Sequence, residues 1–327
     1  MTHGAANIPF LLAITATILL HGPQVSAQAR VSVGFYNTEN LFDTIPSPFH
    51  DDADFTPEGR YRWNSERYAA KLANIAKVID DAGFDIIAIA EVENETVVRD
   101  LVCTLSDDYS YIHRNSGDSR GIDIALLYKG DKFFPTGARL INSGTAREFL
   151  LVSGTLAGYP VNILACHMPS KLNPYKRRAA AAMRLAETAD SLLHAGDGAA
   201  LIVMGDFNGT FDEKPLRTAF AKLMDGHDRG RHVFDPLAKM RDNGAGSYRW
   251  EGYWLLYDNI LLSSDMTSKD ALHLERAGIF IRPYMLTGEN EPLAKTRRAG
   301  YPLRTFAAGR YMGGYSDHLP VFVILSR

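Results

Sequence analysis

The chain has 327 residues, 46% of them hydrophobic, and a formal net charge of −3. This is the composition of an ordinary globular protein, and it gives no support to nucleic-acid binding through a bulk positive field, although a local basic groove stays compatible with it. Two cysteines, Cys103 and Cys166, are too few for a disulfide scaffold or a thiolate cluster; spacing alone cannot place their Cα atoms together, so pairing is left open and two buried free thiols is the favoured expectation.

Residues 8–20 form an apolar run broken by Pro9 and two threonines, too short for a membrane span. Small residues alternate through Gln24-Val25-Ser26-Ala27-Gln28-Ala29, as at a signal-peptidase site. Residues 1–27 are therefore expected to be a signal peptide and 28–327 an exported domain. No cysteine lies near the cut, which argues against a lipid anchor. The expectation is a periplasmic or secreted monomer of bacterial type, without stable membrane association once the leader is cleaved.

Runs of β-branched and aromatic residues predict strands over 31–36, 85–90, 122–128, 149–155, 161–166, 201–204, 258–262 and 319–325. A helix is predicted over 64–81, where Leu72, Ile75, Val78 and Ile79 recur at helical spacing. Another is predicted over 174–193, with Asn173 as its cap and Pro174 in its first turn. Strands alternate with helices in part and follow one another directly in part, which predicts a mixed-sheet α/β architecture. The polar stretches 44–62 and 225–252 read as long loops of the kind that carry function.

Five polar clusters sit at strand ends: Asn37-Thr38-Glu39-Asn40, Glu91-Val92-Glu93-Asn94, His167-Met168-Pro169-Ser170, Gly205-Asp206-Phe207-Asn208 and Ser316-Asp317-His318. A carboxylate after a strand is usually a cap or a solvated turn. Five clusters offering oxygen and imidazole ligands on rigid platforms suit cation-assisted attack of water on a phosphate ester better than they suit acyl transfer.

With Phe35-Tyr36 ahead of the first cluster, Arg120-Gly121-Ile122-Asp123 and Tyr257-Asp258-Asn259-Ile260 between them, the chain resembles the endonuclease/exonuclease/phosphatase superfamily. These pieces stand in that family's order. The resemblance implies a four-layered α/β sandwich, two mixed β-sheets packed face to face with helices outside (DNase I-like), and a site at one end. It also implies Mg²⁺ (or Mn²⁺). Glu91 is the best metal ligand, with Asn37 as a neutral oxygen donor beside it and Asp317 adding a contact. His318 handles protons or charge, and Asp258 orients it. Asp206 orients or deprotonates the attacking water, Asn208 donates to a phosphoryl oxygen, and His167 does so as charge builds. Glu39 and Glu93 are weaker ligand candidates, better read as caps or bridges.

For substrate, the expectation is DNA or RNA. Lys171, Lys176, Arg177 and Arg178 lie beside the His167 loop, and Lys295, Arg297, Arg298 and Arg304 on a late loop, with Tyr175, Tyr301 and Phe306 interleaved for stacking. Arg120 is a further phosphate clamp candidate. The alternative is a phosphatase or a phospholipid-headgroup phosphodiesterase, for which residues 248–256 are the one candidate docking hairpin. A degenerate binding protein is disfavoured because no expected site residue is missing. The sequon at Asn208 fits a bacterial exported protein better than a glycosylated one.

Overall fold

The computed structural model describes residues 30–225, 230–269, 271–288 and 299–327, together with Met1. Apart from Met1, the expected signal peptide lies outside the described residues, as do Lys295, Arg297 and Arg298. In chain order the elements begin β1 (Arg30–Leu41), α1 (Ser65–Ala82), β2 (Ile86–Val92), α2 (Glu95–Thr104), β3 (Ser110–His113) and β4 (Asp123–Tyr128). There follow β5 (Phe133–Ile141), β6 (Phe149–Leu156), β7 (Tyr159–His167), α3 (Tyr175–Leu193), β8 (Ala200–Asp206), α4 (Lys214–Asp225) and β9 (Val233–Phe234). The rest comprises α5 (Ala238–Asp242), β10 (Tyr248–Trp250), β11 (Tyr253–Leu255), β12 (Asp258–Ser263), β13 (His273–Ile279), β14 (Phe306–Ala307), β15 (Arg310–Tyr311) and β16 (Val321–Ser326).

Two six-stranded sheets carry the fold, ordered β13-β16-β1-β2-β4-β3 and β5-β6-β7-β8-β12-β9. Each contains one parallel pair, β1 with β2 and β7 with β8, among antiparallel neighbours. A parallel pair needs a crossover, and α1 and α3 supply the two. Strand alternation then builds the layers. Val33, Phe35, Ile86, Ala88, Ile163, Ala165, Ile202 and Met204 fill the core between the sheets. The intervening Ile87 and Ile89 pack on α1 and α2, and Leu164 and Val203 pack on α3 and α4. The order helix, sheet, sheet, helix is the expected four-layered sandwich.

The helix over 64–81 forms as its periodicity predicts. Asn64 accepts the Arg67 N–H at 3.0 Å, a cap that contributes about 1 kcal/mol. Leu72, Ile75, Val78 and Ile79 are buried, and Gly83 ends the helix at φ 64°, in the left-handed region that glycine enters without a Cβ penalty.

Several expectations need correction. Asn173 does not cap α3; its amide donates to Ser170 O at 3.3 Å. Pro174 holds the cap position and offers only its carbonyl, to the N–H groups of Arg177 and Arg178. The stretch 225–252 is not one loop, for its described part holds β9, α5 and β10. Both cysteines are free, but Cys103 is exposed and only Cys166 is buried. Strands β5 and β13 escape sequence patterning because each is irregular: register shifts fall between Pro135 and Gly137 and between Leu274 and Arg276. No described helix is long and apolar enough to cross a membrane.

Candidate active site

The site is where the inter-sheet core runs out of apolar residues. Period-2 alternation sends residues 33 and 35, then Asn37, to the same face of β1. Likewise Ile163 and Ala165 lead to His167, Ile202 and Met204 to Asp206, and Ile260 is two positions from Asp258. Register aligns these ends: His167 pairs with Asp206 across β7 and β8, and Asp206 pairs with Asp258 across β8 and β12. Three titratable side chains therefore stand in one row. Asn37 reaches them from the opposite sheet, donating its amide N–H to Asp206 Oδ2 at 3.1 Å and to Glu91 Oε1 at 3.2 Å.

Glu91 arrives differently. The ladder shifts register between Ala90 and Val92, and Glu91 adopts φ 64°. A non-glycine residue there costs roughly 1–3 kcal/mol and persists where its surroundings hold it. Glu91 Oε2 accepts the Asn40 N–H at 2.9 Å. Among the described residues no lysine or arginine lies within ion-pair distance of this carboxylate; the one basic nitrogen within that distance is His167 Nε2 at 3.7 Å. A carboxylate without a cationic partner, next to an amide and facing other acids, fits a hard divalent ion.

On the other flank, His318 Nδ1 and Asp258 Oδ2 are 2.6 Å apart. His318 Nε2 lies 3.9 Å from Asp206 Oδ2 and 4.0 Å from Asp317 Oδ1. The Tyr248 ring covers the imidazole, with centroids 4.9 Å apart. Burial opposes the charged imidazole, but Asp258, Asp206 and Asp317 outweigh it, and His318 is held well above its ordinary value. Asp206 is raised as well, to about 7, by burial first and then by the Asp258 charge, against His318 and the hydrogen bonds from Asn208 N–H and Asn37. A carboxyl group held near neutrality thus stands beside an imidazole that keeps its proton. Asp206, Asp258 and His318 also offer ligand atoms within 4.8 Å of one another. The short Asp258–His318 bond makes them a proton-handling group first, and the Glu91 side the better cation site.

His167 is buried and neutral: burial, then Arg147, His318 and Arg120, pull it well below its ordinary value. Arg147, which the sequence reading missed, donates from Nη1 to His167 Nε2 at 2.8 Å. Nδ1 must then carry the proton, and it has no partner among the described residues. No motif marks Arg147; its one signal is a polar position just ahead of β6, the strand paired with β7. Asn208, at φ 47°, donates its amide to Met168 O at 2.9 Å, and its N–H to Asp206 Oδ1 at 2.8 Å.

Asp317 is brought to the rim, with Oδ2 on Arg304 Nη2 at 2.7 Å. Glu39 and Glu93 are not part of the site. Glu39 holds Arg304 Nε at 3.1 Å and the Thr305 N–H at 2.6 Å, while Glu93 accepts the Asp43 N–H at 2.8 Å. Arg304 is spent on two carboxylates. Lys171 and Arg178 share Glu213 at 2.6 and 3.4 Å, and Phe306 packs against Tyr61 and Tyr311, so this part of the expected basic and stacking surface is internally satisfied. A groove of about 560 Å³ opens off Asp317, walled by Tyr248, Arg249, Trp250, Tyr301 and Arg304.

No curated protein matches the sequence significantly. Among solved structures, a humanized D. rerio TDP2 superposes with a TM-score of 0.59 at 14% identity, covering 91% of this chain and 99% of that one. A Bacteroides thetaiotaomicron mannosyl-6-phosphatase superposes at 0.58 and 18% identity, covering 90% and 99%. An endonuclease/exonuclease/phosphatase family protein of the same bacterium gives 0.58 at 17%, covering 91% and 95%. At such identities the likeness is one of fold. The sequence itself goes further, because the model of the Endonuclease/Exonuclease/phosphatase family matches residues 32–327, and the chain belongs to that family of phosphoric ester hydrolases.

Proposed function

We propose that this protein is an exported phosphodiesterase that cleaves nucleic acid by in-line attack of water. The observation that carries the reading is the Asp206–His318 pair, 3.9 Å apart, one held near neutrality and the other cationic. Asp206 accepts a proton from the attacking water as its oxygen bonds to phosphorus. The imidazolium of His318, oriented by Asp258, faces the negative charge that gathers on the phosphoryl oxygens. Arg147 adds charge to the His167 edge, and Asn208 fixes Asp206 through its own N–H. The P–O bond to the leaving group then breaks, and the departing alkoxide takes its proton from solvent. Glu91 would hold a divalent ion, Mg²⁺ or Mn²⁺, with Asn37 beside it and Asp317 at the rim; bound there, it supplies Lewis-acid stabilisation of the phosphoryl group.

Export rests on the residue pattern of 1–27. Nucleic acid is favoured by Arg120, Lys176 and Arg177, which stay exposed beside the His167 edge. A phosphomonoester is the second reading. The groove off Asp317 favours it, since about 560 Å³ is the size of a small-molecule pocket.

The deciding experiment is cleavage of supercoiled plasmid and of bis(4-nitrophenyl) phosphate with Mg²⁺, with EDTA, and by Asp206→Ala. Nicking that requires both the ion and Asp206 is expected. Intact plasmid alongside ready hydrolysis of sugar phosphates would replace the nuclease reading with the phosphatase one.

A further inference from the structure

A second cavity of about 80 Å³ lies behind the His167 edge, lined by Asp118, Arg147, Pro169, Asn173 and Arg177 among others. The reaction described above makes no use of it. Its volume is several times the roughly 10–15 Å³ that one water requires, and it is of the order a phosphate group fills.

The lining is chemically biased. Arg147 is anchored on three sides: Nε to Asp118 Oδ2 at 3.1 Å, and Nη1 to His167 Nε2 at 2.8 Å and Met168 O at 3.3 Å. Its Nη2 has no partner among the described residues, so two N–H donors of a fixed guanidinium are unspent. Arg177 makes no ion pair or side-chain hydrogen bond among the described residues. The one carboxylate in the lining, Asp118, is shared between Arg147 and Arg120, whose Nε is 4.0 Å away. Two arginines against one committed carboxylate leave the cavity cationic.

The helix beneath it points the same way. Arg177 sits in the first turn of α3, which contains no acidic residue but has Lys176, Arg177 and Arg178 in succession. Cations at the positive end of a helix dipole are placed unfavourably unless an anion joins them. Glu213 answers for Arg178 at 3.4 Å; Arg177 is left facing the cavity.

We propose that the Arg147–Arg177 cavity binds a second phosphate of the substrate, the neighbour of the one being cleaved. Arg147 joins the two places, since the guanidinium that touches His167 also lines the cavity. The proposal rests on the phosphodiesterase reading and deepens it: the substrate is a chain carrying phosphates on successive residues, and the enzyme senses the phosphate next to the scissile bond.

The test compares kcat/KM for three thymidine dinucleotides, TpT, pTpT and TpTp, with bis(4-nitrophenyl) phosphate as the reference diester. The wild-type protein is expected to prefer one of the two-phosphate forms over TpT by about tenfold or more, as one charge-assisted phosphate contact implies. Arg177→Gln should abolish that preference, and Arg177→Glu should invert it. Arg177 is exposed, so both variants should melt with the wild type. Equal rates on all three dinucleotides, or a preference that survives both substitutions, would overturn the subsite while leaving hydrolysis of the aryl diester intact. Absence of metal-dependent hydrolysis of every ester would overturn the phosphodiesterase reading, and the subsite with it.

Discussion

Replacing Asp258 by asparagine keeps the shape of the site and removes one charge. Asp258 is fully buried and His318 is 6% exposed, so solvent does little to replace what is lost. Their contact is a 2.6 Å charge-assisted hydrogen bond, and uncoupling a buried ion pair of this kind costs about 3–5 kcal/mol. If most of that support is felt when the phosphoryl group gathers charge, kcat falls by roughly 10²–10⁴, at about 1.36 kcal/mol per tenfold. The pH profile should move as well. On the proposed mechanism activity requires Asp206 ionised and His318 protonated, so it rises through the Asp206 pKa, about 7, and declines once His318 loses its proton. The Asp258 charge raises both groups, so the substitution should move both limbs to lower pH. The assay is steady-state hydrolysis of bis(4-nitrophenyl) phosphate from pH 5 to 9 at saturating Mg²⁺, with a melting curve to confirm folding. A variant within threefold of wild-type kcat and with unmoved limbs would refute the assigned roles of Asp258 and His318.

Two further outcomes test the surroundings. Glu91→Gln should weaken Mn²⁺ binding by about tenfold or more, since a charge-assisted contact contributes roughly 1.5–3 kcal/mol; calorimetric titration reads this without reference to activity, and wild-type affinity would remove Glu91 as the ligand. Glu93 is buried, and burial chiefly raises its carboxyl to about 8. The folded state therefore keeps a proton that the unfolded chain releases near 4.5, so the associated stability is complete at low pH and is lost as pH climbs toward 8. The loss approaches 1.36 kcal/mol per pH unit across that window. Urea midpoints at pH 5 and pH 8 should converge in Glu93→Gln, and equal slopes in the two proteins would show that Glu93 titrates normally.

What the sequence disclosed follows from which interactions are local. The strands that fill the inter-sheet core are apolar on alternate or successive residues, and the polar residue ending each run marks where the core stops; that is why Asn37, His167, Asp206 and Asp258 could be read before their geometry was known. Glu91 was legible for the same reason, although the left-handed turn that aims it was not. Arg147 was illegible because its meaning comes from His167, twenty residues away at the end of β7. Glu39 could be read as a bridge rather than a ligand, but not what it bridges: Arg304 and Thr305 lie more than 260 residues distant. Pairings of that range leave no periodic trace. Edge strand β13 was hidden by its own irregularity and by Glu275 and Arg276, residues an exposed edge tolerates.

The pairing of β1 with β16 also settles how the molecule can be held. Arg30 lies opposite Ser326 in that ladder, so both ends of the described domain emerge side by side. The strand then runs seven residues to Asn37, about 23 Å at strand rise, before it reaches the site. An affinity tag, linker or solid support joined at either end therefore attaches at the pole away from the chemistry. An immobilised form of this protein would present its cleft outward.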